Sequence, residues 1–143
     1  ATPLHMAMVA STIANDGIMM QPKLVKSITD KEERNIYKAK DEKLSIVTSK
    51  TNANNIRDMM VDVVNEGTGK AAYISGIQVA GKTGTTDKSN GSIDAWFVGF
   101  APAYDPQIAV AIVVEDAADT GGVTVAPIAR NLLVDIFNQV NLD

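Results

Sequence analysis

The sequence contains no cysteine, one histidine and one tryptophan, and its aromatic content is 5%. Without cysteine the chain can form no disulfide and no thiolate metal site. No apolar run approaches the roughly 20 residues that a membrane-spanning helix needs. The net charge of −4, from 13 basic and 17 acidic residues, gives no general attraction to nucleic acid or to an anionic membrane. We therefore expect no metal, no cofactor, no nucleic-acid partner and no membrane segment in this chain.

The composition is that of a globular protein, with 45% hydrophobic and 21% charged residues. A length of 143 residues fits a single domain, and we take 1–143 as one unit with its own core. The first residues lack an initiator methionine and the basic stretch of a signal peptide. Because the chain starts directly in a helix pattern, we expect it to be a piece of a longer protein.

Helical patterns are predicted at the start, in the middle and at the end of the chain. Thr2-Pro3 is typical of a helix start, and the first helix should end at Asn15-Asp16-Gly17. Its apolar residues lie on every face, so we expect this helix to be buried all round, with part of its cover supplied by structure outside this chain. Further helices are predicted over 52–66 and 126–140, where apolar residues recur at helical spacing.

The remaining segments predict strands. Residues 18–50 carry short apolar patches around a charged middle, which predicts a hairpin or extended arm. Residues 76–116 predict an antiparallel sheet, with strands around Ile77 to Val79, Ala95 to Ala101 and Ile108 to Glu115. The links between these strands are too short for parallel crossovers, which need about a dozen residues. The third strand is almost entirely β-branched or alanine, so we expect it to be central. The fold class is therefore α+β, with an antiparallel sheet flanked by helices.

The segment Gly76 to Thr83, GIQVAGKT, matches the P-loop pattern G-x-x-x-x-G-K-[ST]. Lys82-Thr83-Gly84 is also the K-T-G motif of penicillin-recognising serine enzymes. A P-loop requires a turn between its glycines and a helix that begins at the lysine. Here Ile77 to Ala80 alternates like a strand, and Gly84 to Gly91 has turn composition. Nucleotide binding therefore remains a remote alternative, and we favour a strand that carries the lysine.

On a strand edge, each residue from Lys82 to Thr85 has a chemical use. The ammonium of Lys82 would be a fixed positive charge beside a serine nucleophile. The hydroxyls of Thr83 and Thr85 could donate to a substrate carboxylate, and the absence of a Cβ at Gly84 would let a substrate lie close. The backbone amide of Thr85 could donate to a developing oxyanion. A substrate peptide could then add to the edge as an extra strand.

Six blocks of the sequence resemble the C-terminal half of a penicillin-binding protein transpeptidase domain, over nearly the full chain. The blocks are TPLHMAMVASTIANDG, QPKLVKSI, MMVDVVNEGTG, VAGKTGTT, DAWFVGFAP and IAVAIVVE. The resemblance implies a partial penicillin-binding protein/serine β-lactamase-like fold with a five-stranded antiparallel sheet. It also implies a membrane-anchored parent enzyme on the extracytoplasmic face of the bacterial membrane. That parent would cross-link peptidoglycan stem peptides ending in D-Ala-D-Ala through an acyl-serine, and it would bind β-lactams.

Carried over to this sequence, the resemblance implies catalytic roles for Lys82 and for the Thr85 amide, as half of the oxyanion hole. It implies substrate binding by Lys82, Thr83, Gly84 and Thr85. The family's nucleophile motif S-x-x-K and its S-x-N motif are both absent, since no serine is followed by Lys three residues later or by Asn two residues later. A hydroxyl without an adjacent base is a poor nucleophile. We therefore expect the chain to be inactive alone and to need the N-terminal part of the transpeptidase domain. A serine β-lactamase, a D,D-carboxypeptidase and a non-catalytic binding module remain alternatives.

Four other features favour structural interpretations. His5 has no partner in sequence and is expected to be structural or exposed. The pair Trp96-Phe97 is expected in the core, although it could line a cleft. Gly67-Thr68-Gly69 is expected to be a turn that ends a helix, although it could touch the cleft in the resembled fold. The acidic residues around Asp116 lack the spacing of metal ligands and predict a solvated loop.

Overall fold

The protein was analysed as a computed structural model, and the structure describes residues 1–139. The predicted α+β class, with antiparallel strands and flanking helices, is confirmed. The helices are α1 Pro3–Ala14, α2 Lys50–Asn65, α3 Gly121–Thr124 and α4 Ala126–Gln139, with a 3-10 turn at Lys70–Ala72. The strands are β1 Ile18–Met20, β2 Ser27–Thr29, β3 Asn35–Lys38, β4 Lys43–Ile46, β5 Ala80–Asp87, β6 Ile93–Ala101 and β7 Ile108–Ala117.

The central sheet is formed by β5, β6 and β7, which are joined by two antiparallel hairpins as the short links predict. The expected strand at Ile77 to Val79 is wrong: β5 begins only at Ala80, and Ile77 forms just an isolated bridge with Ile74. The strand also ends later than expected, because Thr85 and Thr86 continue the ladder with β6 as far as Asp87. Residues 84–91 were expected to form a turn, but only residues 88–91 do so. There the Gly91 amide donates to the Lys88 carbonyl at 3.0 Å. Gly84 and Asp87, which have low strand propensity, lie in this strand because the cross-strand ladder with β6 holds them.

The prediction that β7 is central is wrong for the part of the chain that the structure describes. In residues 1–139 the order is β5-β6-β7, so that β6 is central and the sheet has three strands, fewer than the five of the resembled fold. Strand β7 is apolar because helices cover both of its faces. Val110 packs in a cluster with Leu133 of α4, and Ala109 packs against a second cluster that contains Ala10 of α1.

The main core lies between the sheet, α2 and α4. Phe97 of β6 is 0% exposed and shares this cluster with Val64 of α2 and Leu133 of α4. Large apolar side chains that are fully buried contribute about 1.5–3 kcal/mol each. A Cβ at Gly81 of β5 would overlap the Phe97 ring, so the strand can approach the ring this closely only without a side chain there. The core therefore holds β5, which carries the K-T-G motif, against β6.

Helix α1 begins as predicted, since the Thr2 hydroxyl accepts a hydrogen bond from the His5 amide at 3.2 Å. Within residues 1–139 the burial of this helix is incomplete, because Leu4 is 61% and Val9 is 40% exposed. Its buried residues are the small Ala10 and Thr12. Small side chains let the helix lie close to the sheet, while the larger ones on the outer side find no cover among the described residues.

Residues 18–47 form an arm of two successive antiparallel ribbons, β1 with β4 and β2 with β3. At its tip, Arg34 pairs with Asp30 and Glu32. Every residue of β2, β3 and β4 is exposed. The arm also exposes large apolar side chains: Leu24, Val25, Ile28, Ile36, Tyr37, Leu44, Ile46 and Val47. An uncovered two-stranded ribbon is only marginally stable in water.

Helix α4 begins at Ala126 and is described to Gln139, so the predicted end at Val140 lies outside the described residues. Across residues 1–139, none of the helices combines the length and the apolar character that crossing a membrane requires.

Candidate active site

The K-T-G motif lies in the middle of β5, an edge strand of the described sheet. Lys82 is paired with Val98 and Gly84 with Trp96 of the antiparallel neighbour β6. Lys82 and Thr85 are exposed, whereas Gly81 and Thr83 are buried. No helix begins at Thr83, because the strand continues to Asp87. A P-loop needs a helix N-terminus at this point, so the nucleotide-binding alternative is excluded.

A cleft of about 570 Å³ lies beside β5. We call it the threonine cleft, because four threonines line it. Its walls are β5, the turn that follows α2, and the turn that begins α3. The lining residues are Thr68, Lys70, Ala71, Lys82, Thr83, Gly84, Thr85, Thr120, Gly122 and Val123.

The hydroxyl of Thr83 contacts the hydroxyl of Thr68 at 2.6 Å, and Thr83 is only 8% exposed. Either oxygen can be the donor, so one of the two protons remains available to a third group. If Thr68 donates to Thr83, the Thr83 proton is free to donate into the cleft. Thr68 therefore determines what Thr83 can offer to a ligand.

From the sequence, a plain turn was favoured for Thr68 and contact with the cleft was the alternative; the structure places Thr68 in the lining of the cleft. The amides of Gly67 and Gly69 both donate to the Val63 carbonyl, at 3.1 and 2.9 Å. A Cβ at Gly67 would lie 2.9 Å from the Val63 Cα, so the turn can fold back onto α2 only with glycine there. This tight turn directs Thr68 towards β5. No local pattern in the sequence indicates this contact across 15 residues.

Thr85 is held by the turn at the start of α3. The Gly121 amide donates to the Thr85 hydroxyl oxygen at 3.3 Å. A Cβ at Gly121 would lie 2.5 Å from the carbonyl oxygens of Gly84 and Trp96, which shows how closely this turn packs on the sheet. Since the Thr85 hydroxyl accepts this bond, its own proton can donate to a ligand.

Lys82 has an exposed side chain whose Nζ donates to the Thr83 carbonyl at 2.6 Å. It has no carboxylate partner among residues 1–139. The ammonium therefore lies against the strand that carries the threonine hydroxyls, as an unneutralised positive charge. An anionic group placed near those hydroxyls would be attracted by it.

A second hollow, of about 380 Å³, shares Lys82 to Thr85 with the threonine cleft and adds apolar side chains, among them Met6, Trp96 and Val98. Trp96 is half-buried here, whereas its neighbour Phe97 is in the core. Successive strand residues face opposite sides of a sheet, so the two aromatic rings divide between the hollow and the core. Gly84 is open at this point: its Cβ would touch only the Trp96 Cβ, at 3.4 Å.

The hairpin between β5 and β6 is tied by charged groups. Lys88 lies 2.8 Å from Asp94 and 3.0 Å from Asp116. The Ser92 hydroxyl and then Lys88 hold the pKa of Asp116 below its usual range, and the carboxylates of Asp94 and Asp116 raise the pKa of Lys88.

Within the described residues, no group of three or more His, Asp or Glu side chains could hold a metal ion. His5 is exposed.

Comparison with known proteins gives consistent matches. Residues 1–134 match the penicillin binding protein transpeptidase domain family. The chain is 43% identical, over 137 residues, to peptidoglycan D,D-transpeptidase PbpA of Mycolicibacterium smegmatis, and this match covers 90% of the chain and 28% of that protein. It therefore spans well under half of this relative's length.

Solved structures agree with this family. The D,D-transpeptidase domain of a peptidoglycan glycosyltransferase from Eggerthella lenta superimposes with a TM-score of 0.86 at 48% identity, over 97% of this chain and 33% of that one. Penicillin-binding protein A from M. tuberculosis, as an imipenem acyl-enzyme complex, gives a TM-score of 0.86 at 36% identity, over 96% of this chain and 31% of that one. The chain belongs to the penicillin-binding protein transpeptidase family.

Proposed function

We propose that this chain forms one wall of the active site of a longer peptidoglycan D,D-transpeptidase. The observation that carries the proposal is the K-T-G motif on the exposed edge of an antiparallel sheet, beside a cleft lined by threonine hydroxyls. In the complete enzyme a serine would be acylated by a stem peptide ending in D-Ala-D-Ala, and the acyl group would pass to an amine. β-Lactams would acylate the same serine.

The site residues divide into binding and catalytic roles. Lys82 would attract the substrate carboxylate and stabilise charge beside the serine. The hydroxyls of Thr83 and Thr85 would donate to that carboxylate, with Thr68 orienting Thr83. Gly84 would let the substrate backbone lie against the strand, and the Thr85 amide would donate to the oxyanion. The two threonine protons that remain free beside Lys82 support this assignment.

The serine nucleophile and its base must come from outside these 143 residues, because the sequence lacks S-x-x-K. We propose that the N-terminal part of the transpeptidase domain supplies them and covers the outer side of α1, where Leu4 and Val9 are exposed. We also propose that the parent enzyme is membrane-anchored and acts on the extracytoplasmic face of the bacterial membrane, where peptidoglycan is cross-linked. The names of relatives as peptidoglycan D,D-transpeptidases support a site of action where peptidoglycan is cross-linked.

The test of the proposed function uses the full-length parent protein and its acylation by a fluorescent penicillin. Changing Lys82→Ala should lower the second-order acylation rate constant by about 100-fold, since removing a preorganised electrostatic contact at a reacting centre costs this much. Lys31→Ala, which changes an exposed lysine at the tip of the arm, is the matched control and should leave the rate constant unchanged. Acylation of the Lys82→Ala protein at the wild-type rate would contradict the role of Lys82.

A second measurement distinguishes a transpeptidase from a D,D-carboxypeptidase, which would use the same acyl-serine intermediate. A stem peptide ending in D-Ala-D-Ala is incubated with the parent enzyme and an amine acceptor, and the products are separated by mass. We expect the cross-linked product. Hydrolysis alone, with no transfer to the amine at any acceptor concentration, would favour a D,D-carboxypeptidase instead.

A further inference from the structure

The threonine cleft carries more positive charge than the K-T-G motif accounts for. Two of its lining residues are charged, Lys70 and Lys82, and both are basic. No lining residue is acidic, although the whole chain carries a net charge of −4. The nearest carboxylates in sequence, Glu66 and Asp119, do not line the cleft. A cleft with two ammonium groups and no acid is suited to a ligand with more than one negative charge.

Lys70 is not engaged elsewhere in the described part of the chain. Within residues 1–139 its Nζ forms no ion pair and no hydrogen bond, whereas Lys50 and Lys88 each pair with an aspartate. Lys82 lies on β5, where it would attract the carboxylate that the threonine hydroxyls would bind. Lys70 is therefore a second, free cation in the same cleft.

The backbone beneath Lys70 is held firmly. Lys70 begins the 3-10 turn, whose Ala72 is completely buried in the main core. The Gly69 amide donates to the Val63 carbonyl at 2.9 Å, and Arg130 of α4 donates to the Tyr73 carbonyl at 3.0 Å. The turn is thus tied to α2 on one side and to α4 on the other. A flexible side chain on a fixed backbone can present its charge at a defined place with little reorganisation.

We infer that Lys70 binds a carboxylate of the acyl acceptor, on the leaving-group side of the bond that is cleaved. This inference rests on the proposed function, in which Thr83 and Thr85 hold the carboxylate of the leaving D-alanine. Because Lys70 lines the same cleft as those threonines, a charge that it contacts lies on that side. The amine acceptor occupies this side after the leaving group departs. Lys70 therefore favours acceptors that carry a carboxylate near the reacting amine.

The test uses cefotaxime and ceftriaxone, two cephalosporins with the same acyl side chain. Ceftriaxone carries a second ionised group on its C3 substituent, beside the ring carboxylate, and cefotaxime does not. The second-order acylation rate constant is measured for the wild-type parent protein and for its Lys70→Met and Lys70→Arg variants. Removing the Lys70 charge should lower both rates, and it should lower the ceftriaxone-to-cefotaxime ratio by about two- to fivefold, the size of an exposed ion pair. Lys70→Arg should keep the wild-type ratio.

The outcomes distinguish this inference from the proposed function. A reduced ratio in Lys70→Met alone, with a smaller difference at high salt, would support the second anion site. The same ratio in all three proteins, or an equal fall in Lys70→Arg, would overturn it while leaving the transpeptidase assignment intact. Failure of both compounds to acylate the wild-type protein would instead overturn the proposed function.

Discussion

Gly84 and Gly99 lie on neighbouring strands, but the fold needs only one of them to be glycine. A Cβ at Gly99 would overlap the carbonyl oxygen of Ala80, which is backbone and cannot move aside. A Cβ at Gly84 would meet only the Trp96 Cβ, at 3.4 Å. Packing therefore explains glycine at 99 and leaves glycine at 84 without a structural requirement. A requirement from the substrate, which would lie along β5, is the remaining physical reason.

We predict that Gly84→Ala in the parent protein leaves the melting temperature nearly unchanged and slows acylation by penicillin about tenfold or more. An extra methyl group against a bound ligand has an effect of this size. Gly99→Ala is the comparison: overpacking against the backbone should cost about 1–3 kcal/mol in the free energy of unfolding. Thermal unfolding and acylation kinetics are measured on both variants. Wild-type acylation by Gly84→Ala would show that the substrate does not approach the strand at this position.

For individual residues, the chemical role was easier to predict from the sequence than the position in space. The residue types of Lys82 to Thr85 suggest their uses without any structure, because an ammonium, two hydroxyls and a missing Cβ each have limited chemistry. The contact of Gly121 with Thr85 was not predicted, and contact of Thr68 with the cleft was only an alternative that the resemblance offered. Each contacts β5 across a long stretch of chain, and such contacts are decided by how α2 and α3 pack on the sheet.

At the scale of elements, the stability of the β5–β6 hairpin depends on the charges of Lys88 and Asp116. Asp116 has a pKa below its ordinary value of 3.8, so its contribution to stability is present above that pH and is lost as the pH falls through the lower folded-state value. Lys88 has a pKa above its ordinary value of 10.5, so its contribution is present below that pH and is lost at higher pH. The hairpin should therefore be most stable between about pH 4 and pH 10.

We predict that hydrogen-exchange protection of the Ser92 and Gly91 amides, corrected for intrinsic exchange, falls below about pH 4 while protection in α2 is retained. Lys88→Met should lower protection at neutral pH and flatten its dependence on pH, because both ion pairs of this lysine are lost. Lys26→Met, which changes an exposed lysine of the arm, serves as the control and should leave the protection of the hairpin unchanged. A hairpin whose protection does not respond to Lys88→Met would show that these ion pairs do not hold it.

Two predictions about elements are not met within residues 1–139, for one physical reason. Strand β7 was expected to be central and α1 to be buried all round, and both expectations came from apolar composition. Composition reports how much apolar surface an element carries, and it does not report which neighbours cover it. Helices on both faces explain the apolar residues of β7 at the sheet edge. In α1, nothing among residues 1–139 covers Leu4 and Val9, and both remain exposed.

At the scale of the whole molecule, the chain carries the K-T-G motif of the family and lacks its S-x-x-K motif. We predict that the isolated 143-residue chain forms no covalent adduct with a fluorescent penicillin, because no serine in it has a lysine three residues later. The measurement is fluorescence of the denatured protein on a gel, with the full-length parent protein labelled in parallel as the positive control. A stable label on the isolated chain, at the stoichiometry of the parent, would contradict this prediction.

The sequence by itself determined the class of elements, the antiparallel connections of β5, β6 and β7, and the motif that identifies the family. These follow from local rules: the period of apolar residues, the length of links, and residue types that suit one kind of chemistry. Only the tertiary structure decided that β6 is central, that Thr68 and Gly121 position the threonines of β5, and that Lys70 shares their cleft. Those features depend on contacts between distant parts of the chain, and packing of whole elements determines such contacts.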